Sequence, residues 1–270
     1  MDSGYIPVPG GDLYFERTGH GSPIVFVHAG IADLTMWEPQ VAEFAKDHTV
    51  VCFDTRGFGR SRTEPVEFSH VDDLRAVLDH LEIGQAVVVG CSRGGQHSLD
   101  FTVEEPDRVA GLVWVCGGVS GSSHQGSPEQ TAVFDRIDAL WKAKDWDALV
   151  DLETRVWADG VLQREGRAPQ AVREHVRRMI HAIETRSEEA PKVRPLSRPA
   201  VGRLQDIACP VLVVIGAHDT SGTRASADLL TAEVAGAERV DFPDAAHVPS
   251  MEHPERFNTA LRAFLARHSL

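Results

Sequence analysis

Short apolar runs alternate with helical patterns through the first half of the chain. Leu13–Thr18 alternates apolar and polar residues as an edge strand does, and Gly19–Pro23 reads as a turn. Ile24–His28, Thr49–Asp54, Ala86–Val89 and Leu112–Cys116 are instead continuously apolar, the pattern of strands buried on both faces. Met36–Lys46 and Ser69–Leu81 carry apolar residues at helical spacing, the second with Ser69 as N-cap and Asp72 at the third helical position. Gln96–Glu105 is a further helix, which Pro106 helps to stop. From about Gly117 to Leu204 the strand-like runs disappear. Helical patterns around Thr131–Lys144, Asp147–Trp157 and Gln170–Thr185 replace them, and Pro191, Pro195 and Pro199 mark an irregular return. Strands resume at Val211–Ile215 and Arg239–Phe242, and Pro254–Arg267 reads as the closing helix. The rhythm predicts an α/β fold, a mostly parallel twisted sheet flanked by helices. Residues 1–120 and 205–270 form the core, and residues 121–204 form a helical lid inserted into it.

Composition narrows the function classes. With 270 residues, 42% of them hydrophobic and 25% charged, the chain suits one α/β domain with an insertion. Its net charge of −13, without a dense basic cluster, argues against nucleic-acid binding. Cys52, Cys91, Cys116 and Cys209 each sit in or beside an apolar run, where a thiol packs as a small hydrophobe and not as part of a disulfide framework. No apolar stretch approaches the ~18 residues of a membrane span. Met1–Gly11 lacks a charged segment followed by an apolar one, so the expectation is a cytoplasmic protein, monomer or homodimer.

The chemistry centres on Val87-Val88-Val89-Gly90-Cys91-Ser92-Arg93-Gly94-Gly95. A G-x-S-x-G between a β-branched strand and a helix describes a nucleophile elbow, which lifts a serine hydroxyl above the sheet. Such a serine needs a base and an acid that orients the base, in the chain order Ser, acid, His, each on a loop beyond a strand. His247, between the last strand and the last helix, is the expected base. Asp219, in Gly216-Ala217-His218-Asp219, is the expected acid, preferred over Asp241 in a strand pattern and Asp244 three residues from the base. His218 is the rival base. The oxyanion hole would take the main-chain amide of Arg93, which follows the nucleophile, and that of Gly30, with Ala29 as the alternative. His28 is expected to brace this loop. Cys91 adjoins the nucleophile but is expected only to pack.

Taken together, His28-Ala29-Gly30, Trp37, Asp54-Thr55-Arg56-Gly57-Phe58-Gly59-Arg60-Ser61, the Ser92 elbow, Gly216–Asp219 and His247-Val248-Pro249-Ser250-Met251-Glu252 resemble the serine α/β-hydrolases. The resemblance covers nearly the whole chain outside the lid. Met36-Trp37-Glu38-Pro39-Gln40 with Asp54-Thr55-Arg56-Gly57 is most similar to the 3-oxoadipate enol-lactonases. The resemblance implies an α/β-hydrolase fold and a serine hydrolase cleaving a carboxylic ester or lactone through an acyl-enzyme. The same fold also carries C–C bond hydrolases, cofactor-free haloperoxidases, lyases and binding proteins that keep the triad. A haloalkane dehalogenase would need Asp where Ser92 stands.

No phosphate-binding glycine motif or metal-spaced cluster is present in the sequence, so no cofactor and no metal are expected. The expected partner is a small-molecule ester or lactone, with no nucleic acid and no membrane. Trp141, Trp146 and Trp157 are read as lid packing, and Arg136, Arg155, Arg173, Arg177 and Arg178 as mostly solvated. Arg93 beside the nucleophile calls for an acidic partner within the protein, with a substrate carboxylate as the other possibility.

Overall fold

The structure is a computed structural model, and it describes residues 1–124, 126–186 and 191–270. Its strands are β1 (Asp2–Val8), β2 (Gly11–Gly19), β3 (Pro23–Val27), β4 (Thr49–Phe53), β5 (Arg62–Thr63), β6 (Glu67–Phe68), β7 (Ala86–Cys91), β8 (Val109–Val115), β9 (Lys192–Val193), β10 (Val211–Gly216) and β11 (Glu238–Phe242). Its helices are α1 (Glu38–Phe44), α2 (His70–His80), α3 (Arg93–Glu104), α4 (Pro128–Ala143), α5 (Trp146–Thr154), α6 (Gln170–Glu184), α7 (Ser221–Glu233), α8 (Pro249–Glu252) and α9 (Pro254–His268). The main sheet runs β1-β2-β4-β3-β7-β8-β10-β11, with β5 added to β2. Strands from β4 to β11 in this order are parallel, while β1, β2 and β5 join antiparallel.

The apolar runs account for the centre of this sheet. Every residue of β4, β7 and β10 is buried, which requires cover on both faces. Helices supply it: α1 packs with α9, α2 with α3, α3 against β7 and β8, and α7 against β10. The large buried side chains Phe26, Trp37, Phe44, Trp114 and Phe264 belong to one continuous core. Ser69 caps α2 as expected, its hydroxyl accepting the Asp72 amide at 3.4 Å.

Four boundaries differ from the sequence pattern. β2 is not the sheet edge, because β1 pairs outside it; β1 buries only Ile6 and so shows no apolar rhythm. Leu34–Trp37 forms a 3₁₀ turn capped by Asp33 before α1 begins. α3 starts at Arg93, three residues earlier than its apolar pattern, because the elbow leads straight into it. Finally, β9 pairs with β6 in the stretch where no strand is expected. Two residues are too few to carry a period. Helices α4, α5 and α6 fill the insertion between β8 and β10, and α5 runs on into a π-helical turn, Arg155–Asp159.

The elbow constrains this core most tightly. A Cβ on Gly90 would stand 2.2 Å from the Gly94 carbonyl oxygen and 2.3 Å from Ser98 Oγ, and one on Gly94 would stand 2.3 Å from the Val27 carbonyl oxygen. Main-chain atoms there have no room to retreat. Gly90→Ala is expected to destabilise the protein by about 3 kcal/mol, the upper end of overpacking costs. The urea midpoint of the variant against the parent measures it, and an unchanged midpoint contradicts the packing account.

Candidate active site

Four loops at the carboxyl ends of parallel strands converge on one point, the position that open α/β sheets use for ligands. The loop after β3 brings His28, Ala29 and Gly30; the turn after β7 brings Ser92; the loop after β10 brings Asp219; the loop after β11 brings His247. Ser92 has φ 56° and ψ −118°, a left-handed backbone that a residue with a Cβ adopts only under constraint. Its amide donates to the Val115 carbonyl at 2.8 Å. Its Oγ lies 2.7 Å from His247 Nε2, and His247 Nδ1 lies 2.8 and 2.9 Å from the two Asp219 oxygens. Asp219 and His247 are buried. The structure therefore brings together the three residues singled out in the sequence.

The rivals are placed elsewhere. Asp241 pairs with Arg239 on the surface, Asp244 lies near His253 and Arg256, and His218 is partly exposed without a carboxylate partner among the described residues. His28 does brace its loop. Its Nδ1 donates to the Ala29 carbonyl at 2.7 Å, and its Nε2 accepts the Thr55 amide at 2.9 Å. Burial holds its pKa below the usual imidazole range, which suits this neutral tautomer. The Ala29 amide is directed at Met36 Sδ, 3.3 Å away, so of the two loop candidates only Gly30 leaves its amide without a partner among the described residues. Arg93 is the first residue of α3, where helix geometry leaves the amide outside the ladder.

The segment Asp54–Ser61 holds the floor in place. Asp54 accepts the amides of Leu34 at 2.9 Å and Arg60 at 2.7 Å, and Ser61 links the Asp54 carbonyl to the Tyr14 amide. Arg56 makes a buried two-point pair with Asp73, at 2.7 and 2.9 Å. These charges serve the scaffold. Glu252 likewise accepts the Ala246 amide at 2.7 Å and pairs with Arg167, fixing the loop that carries His247.

Above Ser92 lies a cavity of about 220 Å³ walled by Ile31, Trp157, Ile180, Ile183, Glu153 and Glu184, with Gly30 and Arg93 at its floor. A larger cavity of about 410 Å³ adjoins it, lined by Phe58, Phe68, Trp141, Trp146 and Val193 among others. All three tryptophans line cavities; Trp157 also packs, as expected, on the core and beside the Phe134 ring at 5.9 Å, and its own ring stands 4.6 Å from that of His247. Arg173 pairs with Asp159 and Arg177 with Asp151, and neither faces Ser92. Arg93 does not meet its expected internal ion pair. No carboxylate lies within 4.0 Å of it among the described residues. Its guanidinium lies over the Phe58 ring at 5.1 Å, burial lowers its pKa, and Glu184 is the carboxylate that opposes this.

Glu153 and Glu184 escaped the sequence reading. The signal was available in the helical spacing: Glu184 is four residues beyond buried Ile180, and Glu153 four before Trp157, so each acid shares a face with an apolar wall. Burial raises the pKa of both, and repulsion from Glu184 helps push Glu153 up to about 7. Among the described residues no group of three or more His, Cys, Asp or Glu is placed to hold a metal ion. No helix among them is long and apolar enough to cross a membrane.

With this geometry in hand, the comparisons with known proteins are specific at the level of family. Residues 24–260 match the model of the alpha/beta hydrolase family, and the chain belongs to that family. It is 28% identical over 264 residues to 3-oxoadipate enol-lactonase 2 of Acinetobacter baylyi, covering 90% of this chain and 88% of that protein. It is 26% identical over 274 residues to the 2-hydroxy-6-oxononadienedioate/2-hydroxy-6-oxononatrienedioate hydrolase of Escherichia coli, covering 94% and 91%. Among solved structures it is similar to an N-acyl homoserine lactone degrading enzyme, with TM-score 0.73, 28% identity and coverage of 97% and 100%.

Two outcomes follow from the buried groups. The Cys91 thiol is fully buried and its pKa is pushed far up by burial, so it is not a nucleophile. Thiol reagents are expected to react with it only on the timescale of unfolding, and Cys91→Ala to keep most activity; rapid inactivation that substrate prevents would contradict this. For Glu153 the folded pKa of about 7 exceeds the ordinary 4.5. Between these values the folded protein keeps a proton that the unfolded chain releases, so this group's contribution to stability falls as pH rises through the window. Melting temperatures of the parent relative to Glu153→Gln should therefore decline from pH 4.5 to 7.5, and a flat difference would place Glu153 in water.

Proposed function

We propose that the protein is a serine hydrolase of carboxylic esters or lactones, working through an acyl-enzyme. The observation that carries this reading is the chain of contacts Ser92–His247–Asp219, at 2.7 and 2.8 Å, on a strained elbow beneath a cavity. Ser92 Oγ attacks the carbonyl carbon while His247 Nε2 takes its proton. Asp219 holds the imidazole by Nδ1 and balances the charge it gains. The amides of Arg93 and Gly30 receive the oxyanion. Collapse of the tetrahedral adduct breaks the carbonyl–oxygen bond, and His247 returns the proton to the leaving alkoxide. Water then enters, loses a proton to His247 and releases the acid, restoring Ser92. The core, residues 1–120 and 205–270, supplies these groups, and the insertion, residues 121–204, serves as a lid that sets the shape of the cavity.

The lactonase names among the relatives support a lactone or ester substrate for this chain. The similarity to the dienedioate hydrolase supports a second reading, C–C bond hydrolysis by the same groups. The two separate on substrate: a p-nitrophenyl ester and a panel of simple lactones on one side, vinylogous 1,5-diketone acids on the other.

Turnover of p-nitrophenyl acetate tests the mechanism. Ser92→Ala and His247→Ala are each expected to lower kcat/KM by about 10⁴-fold or more, and Asp219→Asn by somewhat less. Full activity in Ser92→Ala sinks the mechanism, and an inactive parent that still binds lactones marks a binding protein on this fold.

A further inference from the structure

The cavity over Ser92 holds an unequal set of charges. Two carboxyl groups, Glu153 and Glu184, share it with a single guanidinium, Arg93, and the rest of the lining is the Ser92 turn, Gly30, an indole and three isoleucines. The three charges are not evenly matched. Arg93, on the first turn of α3, and Glu184, on the last turn of α6, act on each other: the guanidinium opposes the rise of the Glu184 pKa, and the carboxylate opposes the fall of that of Arg93. Glu153, in α5, has no such counterpart. Among the described residues the charge acting on it is the like charge of Glu184, which adds to burial in raising its pKa to about 7. Other cations nearby are engaged elsewhere. Arg56 pairs with Asp73 and Arg186 donates to the Gly59 carbonyl, both on the larger cavity, and His247, behind the Trp157 ring, is held by Asp219.

That imbalance selects a charge. A carboxylate entering the cavity would meet Arg93 but also two acids, and an apolar group would leave Glu153 as it stands. A cation supplies what Glu153 lacks. Trp157 follows Glu153 by four positions and lines the same cavity, so an indole and a carboxylate lie on one face of the chain as α5 runs into its π-helical turn. Together they attract an ammonium twice over, through the negative face of the ring and through a charged hydrogen bond. The net charge of −13 draws the same kind of molecule toward the protein. Ser92 and Glu153 line one cavity of about 220 Å³, so the ammonium and the reacting carbonyl lie within a few bonds of each other.

We propose that the protein selects a short amino ester, whose ammonium, carried on the acyl part, lies between the Glu153 carboxylate and the Trp157 ring while its carbonyl stands over Ser92. This rests on the ester reading above and names the acyl part it takes. The acyl part stays on Ser92 after the alcohol leaves, so contacts to its ammonium serve both halves of the reaction. Glu153 must be ionised to pair. Below pH 7 the free protein holds a proton there that the complex releases, so affinity for the amino ester rises with pH up to about 7 and then levels.

Calorimetric titration of Ser92→Ala at pH 8 reads binding without turnover. Three methyl esters of matching shape are compared: β-alanine methyl ester, methyl butanoate with a methyl in place of the ammonium, and monomethyl succinate with a carboxylate there. The amino ester is expected to bind at least about tenfold tighter than methyl butanoate, the worth of one hydrogen bond to a charged group, and the succinate ester more weakly than either. Adding Glu153→Gln should remove the preference, whereas adding Arg93→Met should enlarge it by deleting a like charge. Lowering the pH to 5.5 should weaken the amino ester relative to methyl butanoate, and Glu153→Gln should abolish that dependence. Melting curves establish that each variant is folded; if Glu153→Gln is not, the pH series on Ser92→Ala decides, and a flat relative affinity overturns the proposal. Equal affinity for the amino ester and methyl butanoate also overturns it, as does preference for the succinate ester, a preference that survives Glu153→Gln in folded protein, or no measurable binding of the amino ester. Failure of the parent reading looks different: wild-type protein binds these esters but leaves them uncleaved.

Discussion

The site depends on one steric constraint, the close passage of three main-chain segments at the elbow. β7 ends, Ser92 turns with a positive φ, and α3 begins, all against the end of β3. Side chains at positions 90 and 94 would sit within 2.3 Å of neighbouring main-chain oxygens, so both are glycine. Because those contacts leave no alternative path, the strained turn persists and the serine hydroxyl is fixed above the sheet. The same passage places the start of α3 beside the Gly30 loop, and a Cβ on Gly30 would meet the Arg93 side chain at 2.9 Å. Ser92, the candidate oxyanion donors and the cavity-facing Arg93 guanidinium thus share one rigid foundation.

Charges in the molecule divide into two kinds. Arg56–Asp73, Arg167–Glu252 and Arg173–Asp159 are paired and bind segments of chain together. Unpaired partners in these places would be costly, since a buried charge needs compensation. Arg93, Glu153 and Glu184 are different. They line the cavity over Ser92, their ionisation is shifted by burial, and none closes a short ion pair among the described residues. Groups left in that state have interactions in reserve, which is what a ligand site requires.

The core and the three candidate residues were legible because each has a strong local sign. Continuous β-branched runs such as Val87–Val89 mark buried strands, and the order of Ser92, Asp219 and His247 on successive post-strand loops fits one topology. What was not legible depends on tertiary contact. β1 is a strand because β2 offers it a ladder, not because its own residues alternate. Trp141, Trp146 and Trp157 have the spacing of core residues, and only the path of the insertion over the sheet turns them to the cavities. Arg93 looked like a charge in need of an internal partner; the geometry of α6 instead holds Glu184 near but out of reach.

The insertion and the core are joined at the base that matters most. Arg167 donates to the carbonyls of Ala158 and Asp159 in the π-helical turn, to the Asp244 carbonyl, and to Glu252. The first two directly follow Trp157; the last two lie on either side of His247. One guanidinium therefore ties the wall of the cavity to the loop of the histidine, and the 4.6 Å contact between the Trp157 and His247 rings lies inside that clasp. Buried Asp159 tightens it further, accepting the amides of Gly166 and Ala168. A π-turn costs regular helical hydrogen bonding, and such turns recur at functional sites where a side chain must be aimed. Here it aims the indole over the imidazole. The insertion's position is consequently not independent of the candidate site: the Arg167 contacts that place the cavity wall also hold the loop that carries His247.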